Sequence, residues 1–248
     1  MGSTGNSRRP SSVDRLAAVE SALEGAGLAP RGAFHPLADD GVPALGDGRA
    51  AGTLVLAGNV GRAMWQAFSR ARRAEDEPNP LDAWTRRVLT ALAADLGGDA
   101  LFPFGGPPYH PFQRWAQRAE PVHRSPIGPL IHPDYGLWHA YRGALAFAGR
   151  FDLPPRDERP SPCESCADKP CLATCPVGAL TLDGYDVAAC AGHIASPAGE
   201  DCMALSCRAR RACPEGRDYT YGPDQSRFHM EAFLRARPAP TASSARRR

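Results

Sequence analysis

The sequence predicts an α+β chain of two domains, and three observations carry that prediction. Helical patterns alternate with short apolar strand patterns from residue 13 to residue 152. All eight cysteines lie between Pro162 and Gly216. The segment from Asp152 to Pro162 is rich in proline and charge, the composition of a boundary. With 248 residues and 43 % hydrophobic content, two modest domains can each bury a core. The expected limits are a disordered tail over 1–12, a first domain over 13–152, a linker over 153–161, a cysteine-rich domain over 162–236 and a disordered tail over 237–248.

The elements of the first domain follow from periodicity. Ser11 followed by Asp14 resembles a helix-opening box, and Leu16, Val19 and Leu23 repeat on one face before Gly25 and Gly27. Leu28 to Gly52, frequent in glycine, proline and aspartate, reads as a long loop with at most a short strand near Val42 to Leu45. Thr53 to Ala57 is apolar without alternation, as in a central strand covered on both faces. The turn Gly58-Asn59-Val60-Gly61 follows, then a helix with Met64, Trp65 and Phe68 buried, ending in Arg70 to Arg73. Such a turn can hold an anion, although a packing turn is the more economical reading.

Asn79-Pro80-Leu81-Asp82 combines a cap, a first-turn proline and an early acid, and opens a helix through Trp84, Val88, Leu89 and Leu92 to Gly97. Ala100 to Phe104 reads as a strand ending in the turn Gly105 to Tyr109, and Pro111 to Ala119 as a short helix. Ile127 to Ile131 and Leu137 to Ala148 read as an antiparallel hairpin about the turn His132 to Gly136. Along its second strand Trp138, Ala140, Arg142, Ala144 and Ala146 share a face. Small neighbours around Arg142 leave room for a bulky ligand or for close helix packing. A last helix from about Asp224 docks through Phe228, Phe233 and Leu234.

Charge and targeting exclude several functions. The formal charge of +2 is nearly balanced, and part of the excess sits in Arg8, Arg9 and Arg246 to Arg248, so nucleic acid is not an expected partner. Lys169 is the only lysine. Met1 to Ser12 is small and polar, unlike a signal peptide, and no window approaches the roughly 20 apolar residues of a membrane span. A soluble cytoplasmic protein without a membrane partner is expected.

The cysteines carry the chemistry. Cys163, Cys166, Cys171 and Cys175 are separated by two, four and three residues and end in Cys175-Pro176; Cys190, Cys202, Cys207 and Cys213 end in Cys213-Pro214. A [4Fe-4S] cluster needs one thiolate per iron, and one tight loop supplies three. The cysteine before proline ligates the other cluster in two-cluster ferredoxins. On that rule Cys163, Cys166, Cys171 and Cys213 hold one cluster, and Cys175, Cys190, Cys202 and Cys207 the other. The irregular gaps of the second set leave other pairings open, and two four-cysteine zinc sites are the competing reading.

Thr53-Leu-Val-Leu-Ala-Gly-Asn-Val-Gly-Arg-Ala-Met64, the turn Gly105-Gly106-Pro-Pro-Tyr109 and Ile131-His132-Pro133-Asp-Tyr-Gly136-Leu-Trp138-His-Ala140-Tyr-Arg142-Gly143 resemble the cobalamin-processing family of methylmalonic aciduria and homocystinuria type C. The resemblance spans roughly residues 50 to 150. It implies a nitroreductase-like α+β domain that binds cobalamin with its lower base displaced and removes a cyano or alkyl upper ligand. It also implies a cobalamin site built from Gly105, Gly106, Tyr109, Arg124, His132, Trp138 and Arg142. Arg142 and Arg124 would bind corrin amides, the nucleotide phosphate or a thiol cosubstrate. His132 has a rival role as a turn residue, and Trp138 as core.

That family relies on flavin or glutathione, so flavin is a further candidate cofactor. The attached bacterial-ferredoxin-like two-[4Fe-4S] domain looks more like that of epoxyqueuosine reductase and the reductive dehalogenases. Pro129 stands where epoxyqueuosine reductase has lysine after glycine, and no helical-repeat tail follows, which argues against tRNA modification. The combination implies an oxidoreductase: an iron-sulfur cobalamin reductase or upper-ligand-removing enzyme, fed by an external low-potential flavodoxin or ferredoxin. The alternatives are a chaperone that hands cobalamin to a dependent acceptor enzyme, and a cobalamin-dependent reductase of an organic substrate.

Overall fold

The structure is a computed structural model that describes residues 12–72 and 78–237. Ser11 of the helix-opening box, Arg73 and nearly all of both tails lie outside the described residues. The described residues form two compact units, one falling within Met1–Pro121 and Ala140–Glu158, the other within Val122–His139 and Arg159–Arg248.

The first unit is built on a four-stranded sheet in the order β1-β2-β6-β3. Strand β2 (Thr53–Val60) is buried from Thr53 to Asn59. The expected glycine turn therefore differs: Gly58, Asn59 and Val60 continue the strand, and the chain turns at Gly61, whose φ is 57°. Gly58 is required by packing, because a Cβ there would lie 1.9 Å from the Ala140 carbonyl oxygen. Helix α2 (Ala63–Ala71) then buries Met64 and Phe68.

Strand β1 (Ala29–Phe34) occupies part of the stretch expected to be a loop, whereas Val42 to Leu45 forms no strand. It pairs antiparallel with β2, with a register shift between Pro30 and Ala33. An edge position tolerates Pro30, and the irregular register breaks the alternation by which strands are recognised. Within it Arg31 is fully buried and donates to Glu120 at 2.7 Å and to the Asn59 carbonyl at 3.2 Å. The Tyr141 hydroxyl donates to the same carboxylate at 2.6 Å. Burial, reinforced by the Glu120 charge, holds the Tyr141 phenol far above its usual range.

Helix α1 (Ser12–Gly25) places Val19 and Leu23 in the core. Helix α3 (Pro80–Leu96) starts at the expected proline, but Asn79 makes no side-chain cap and holds φ at 127°. Strand β3 (Asp99–Leu101) is shorter than expected and pairs antiparallel with β6 (His139–Phe147). Helix α4 (Phe112–Ala119) buries Phe112 and Trp115.

The expected hairpin is not formed. Strand β6 lies between β2 and β3, where Gly143 to Phe147 are buried, while β5 (Leu130–Ile131) pairs with β4 (His123–Arg124). Residues 122–139, expected in the first domain, pack instead with the cysteine-bearing segment. Arg210 donates through Nε to the Leu137 carbonyl at 3.0 Å, Arg159 pairs with Asp134 at 2.6 Å, and Tyr135 meets Tyr219. Gly136 permits the contact, since a Cβ would lie 2.1 Å from the Glu215 carbonyl oxygen.

The rest of this second unit consists of short pieces. Helices α5 (Pro162–Ser165) and α6 (Pro170–Ala173) precede the hairpin of β7 (Leu180–Thr181) and β8 (Gly184–Tyr185). Helices α7 (Val187–Ile194), α8 (Glu200–Leu205), α9 (Arg208–Ala212) and α10 (Pro223–Arg235) follow. Its buried clusters are small: Ile131, Leu137 and Cys213 in one, Ile194, Cys202 and Met203 in another. Cysteines belong to both. Among the described residues, no helix is long and apolar enough to cross a membrane.

Candidate functional site

The eight cysteines are free thiols, and they line two separate cavities in the second unit. Cys163, Cys166, Cys171 and Cys213 line a narrow one of about 20 Å³. Local geometry sets the first three: Ser161 caps α5 by accepting from the Cys163 amide at 3.3 Å, and Pro170 opens α6 ahead of Cys171. Between them Lys169 adopts a left-handed conformation, φ 39°, and its ammonium donates to the carbonyls of Cys166 at 3.0 Å and Cys163 at 3.4 Å. Cys213 arrives from far along the chain because α9 packs on α6.

Cys175, Cys190, Cys202 and Cys207 line the second cavity, which is about 390 Å³ and largely apolar, with Leu180, Ile194 and Phe233 in its wall. Helices carry two of these thiols. Cys190 is on α7, whose start Asp186 caps by accepting from the Ala189 amide at 2.9 Å; Cys202 is on α8, and Cys207 precedes α9. The Ala179 amide donates to the Cys175 sulfur at 3.3 Å.

Electrostatics divide the thiols in the same way. Burial pushes up Cys163, Cys171 and Cys213, and the neighbouring sulfurs that add to the effect all belong to the first group. Burial also pushes up Cys190 and Cys207, and their neighbours are Cys175, Cys202 and each other. The Tyr185 hydroxyl opposes this at Cys190 through a hydrogen bond. Four thiolates crowded into an apolar space are unfavourable unless a cationic centre compensates them.

The donor set of each cavity fits a four-thiolate cluster. A tetrahedral zinc ion would gather its sulfurs to about 3.8 Å from one another, given a Zn–S distance of about 2.3 Å. Among the described residues no three His, Cys, Asp or Glu side chains form such a single-ion group.

The seven candidate cobalamin residues divide between the units. Gly105, Gly106, Tyr109 and Arg142 belong to the first. Gly106 has φ 93° and open space where a Cβ would stand, and Tyr109 is 66 % exposed. Arg142 is ion-paired with Asp82 of α3 and lies over the Phe104 ring at 5.4 Å, and its Nε is buried without a partner among the described residues. In the sequence Asp82 is legible only as a helix-opening acid.

Arg124, His132 and Trp138 belong to the second unit. Arg124 is exposed on β4. His132 is buried; its Nδ1 accepts from the Asp134 amide at 3.0 Å and its ring stacks on Tyr135, which is the turn role. Trp138 is 1 % exposed, with the Arg210 guanidinium 4.4 Å from its ring centre and Tyr221 edge-on. Sequence reasoning missed Arg210, Tyr185 and His193 as residues of the second cavity. His193 alone had a signal, three positions after Cys190 on one helix.

The fold has a counterpart among solved structures. The chain is similar to the C. elegans B12-trafficking protein CblC, a homologue of human MMACHC. The TM-score is 0.50 at 14 % identity, and the match covers 89 % of this chain and 96 % of that one. An epoxyqueuosine reductase solved with an epoxyqueuosine-modified tRNA-Tyr stem loop matches with a TM-score of 0.43 at 14 % identity, over 86 % of this chain and 69 % of that one. No protein-family model and no curated protein matches the sequence.

Proposed function

We propose that this protein is an iron-sulfur cobalamin reductase, which binds cobalamin as its substrate and reduces it or removes its cyano or alkyl upper ligand. The observation that carries this reading is the division of eight thiols into two cavities of four, the grouping that the cysteine-proline rule gives for two [4Fe-4S] clusters. The likeness in fold to a B12-trafficking protein supports cobalamin as the substrate. When bound, the clusters supply one-electron transfer at low potential.

The chain's own residues hold and insulate that chemistry. Each cavity offers four thiol ligands. Lys169 ties two ligand carbonyls of the first set together, and Ala179 and Tyr185 donate to sulfurs of the second. Apolar walls restrict water at the second cavity. In the first unit Arg142, held between Asp82 and Phe104, is the candidate contact to the corrin amides or nucleotide phosphate. An external flavodoxin or ferredoxin is the proposed electron source.

Anaerobic titration of the reconstituted protein with cyanocobalamin and alkylcobalamins, followed by visible spectra, tests the proposal. A shift to the base-off spectrum is expected, and its absence contradicts cobalamin binding. With a chemical reductant, several turnovers per chain indicate an enzyme. Conversion of one equivalent favours a trafficking role, the second reading suggested by the fold likeness. Arg142→Ala should weaken cobalamin binding about tenfold, from the loss of a charged hydrogen bond, with iron content unchanged. Unchanged affinity removes Arg142 from the site.

A further inference from the structure

The first cavity is bordered by the only lysine of the chain. Lys169 is one of 29 lysines and arginines, and every other is arginine. Its side chain lines the cavity shared by Cys163, Cys166, Cys171 and Cys213. Its ammonium donates to the carbonyls of Cys166 at 3.0 Å and Cys163 at 3.4 Å. An ammonium turns its hydrogens freely toward two carbonyls a few residues apart, which the planar fork of a guanidinium does less readily.

The backbone fixes the origin of this side chain. Lys169 holds the left-handed conformation, φ 39° and ψ 57°, directly before Pro170. That conformation is unfavourable for a residue with a Cβ and persists only where the surroundings hold it. Here the Lys169 carbonyl accepts from the Leu172 amide at 2.9 Å at the start of α6, while the ammonium reaches back to Cys163 and Cys166. One residue thus ties together the segment that carries Cys163, Cys166 and Cys171.

The charge is not neutralised within the protein. Among the described residues Lys169 forms no ion pair, and only neutral carbonyls accept from it. Its field reaches the sulfurs, where it opposes the burial that pushes up Cys163 and Cys171. Ligand thiolates and an added electron both concentrate negative charge in such a cavity, so a fixed cation at its wall favours the more reduced state. At the second cavity, which Lys169 does not line, Arg208 is paired with Asp201 at 2.6 Å.

We propose that Lys169 is a positioning residue whose ammonium charge offsets the negative charge of the cluster bound by Cys163, Cys166, Cys171 and Cys213, holding that cluster in place and raising its reduction potential. The inference rests on the two-cluster reading. It sets the lysine apart from a residue that only shapes the loop, because a loop-shaping role does not depend on charge.

The test is a redox titration followed by electron paramagnetic resonance on anaerobically reconstituted wild type, Lys169→Met, Lys169→Gln and Lys169→Arg, with iron and sulfide counted in each. Methionine removes the charge and the donors, glutamine keeps an N–H without the charge, and arginine keeps the charge. In both neutral variants one of the two potentials should fall so that the reduced-to-oxidised ratio at a fixed poise drops about tenfold, roughly 59 mV for one electron. Most of that shift should return in Lys169→Arg, and the other potential should stay in place. Loss of about four irons from the neutral variants, with about eight kept in Lys169→Arg, supports the same dependence on charge. Two unshifted potentials in a fully loaded neutral variant overturn the proposal. An equal shift in all three variants, or equal loss of iron from all three, also overturns it by making the shape of the lysine the cause. Failure of the wild type to hold about eight irons overturns the cluster reading itself and is told apart by the iron count.

Discussion

The two units of this chain are stabilised by different means. The first has a four-stranded sheet, a continuous buried strand in β2, and a core of Leu23, Leu54, Leu56, Phe68, Leu89 and Trp115. Its buried charge is internally paired, Arg31 to Glu120. The second has strands of two residues apart from the start of β6, helices mostly of four to eight, and small apolar clusters that include cysteines. One unit closes on its own side chains, while the other gathers eight free thiols about two cavities. On the two-cluster proposal, binding free energy in the second unit is folding free energy.

That difference can be broken from either side. The largest expected effect is that of iron removal. Anaerobic chelation should abolish hydrogen-exchange protection over α7, α8 and α10 while β2 and the buried part of β6 keep theirs. Equal protection in both states would mean that the second unit folds without metal.

A smaller and opposite effect comes from Glu120→Ala, which leaves Arg31 buried without its carboxylate. The first unit should lose about 3 to 5 kcal/mol in denaturant unfolding, with iron content unchanged. A loss below about 1 kcal/mol would show that the pair contributes little to that unit. The smallest effect is expected at Asn79, which holds a positive φ without capping α3. Asn79→Gly should raise the stability of the first unit by about 1 kcal/mol or less, because glycine relieves the backbone while losing more entropy on folding. A clear loss of stability would reveal a role for the asparagine side chain.

The sequence was readable where one local signal decides the outcome. Continuous apolar residues mark β2, and Pro80 opens α3. It was not readable where partners come from a distance. β1 carries Pro30, Gly32 and a buried Arg31, and resembles a loop until Glu120 is known to pair with Arg31. The 127–148 hairpin was inferred from two adjacent strand patterns around a good turn, yet β6 pairs with β3, whose pattern lies forty residues earlier. His132 and Gly136 close only the turn itself. Arg210 belongs to the second cavity through the packing of α9, which no local spacing encodes, whereas His193 follows Cys190 by three positions on α7.

On the two-cluster proposal the two groups of four thiols act independently. Iron and acid-labile sulfide should be counted in anaerobically reconstituted wild type, in Cys163→Ala/Cys171→Ala and in Cys190→Ala/Cys202→Ala. About eight irons are expected in the wild type and about four in each variant, with visible absorbance near 400 nm halved. Loss of all iron from either variant, or a colourless wild type that retains two zinc ions, would contradict it.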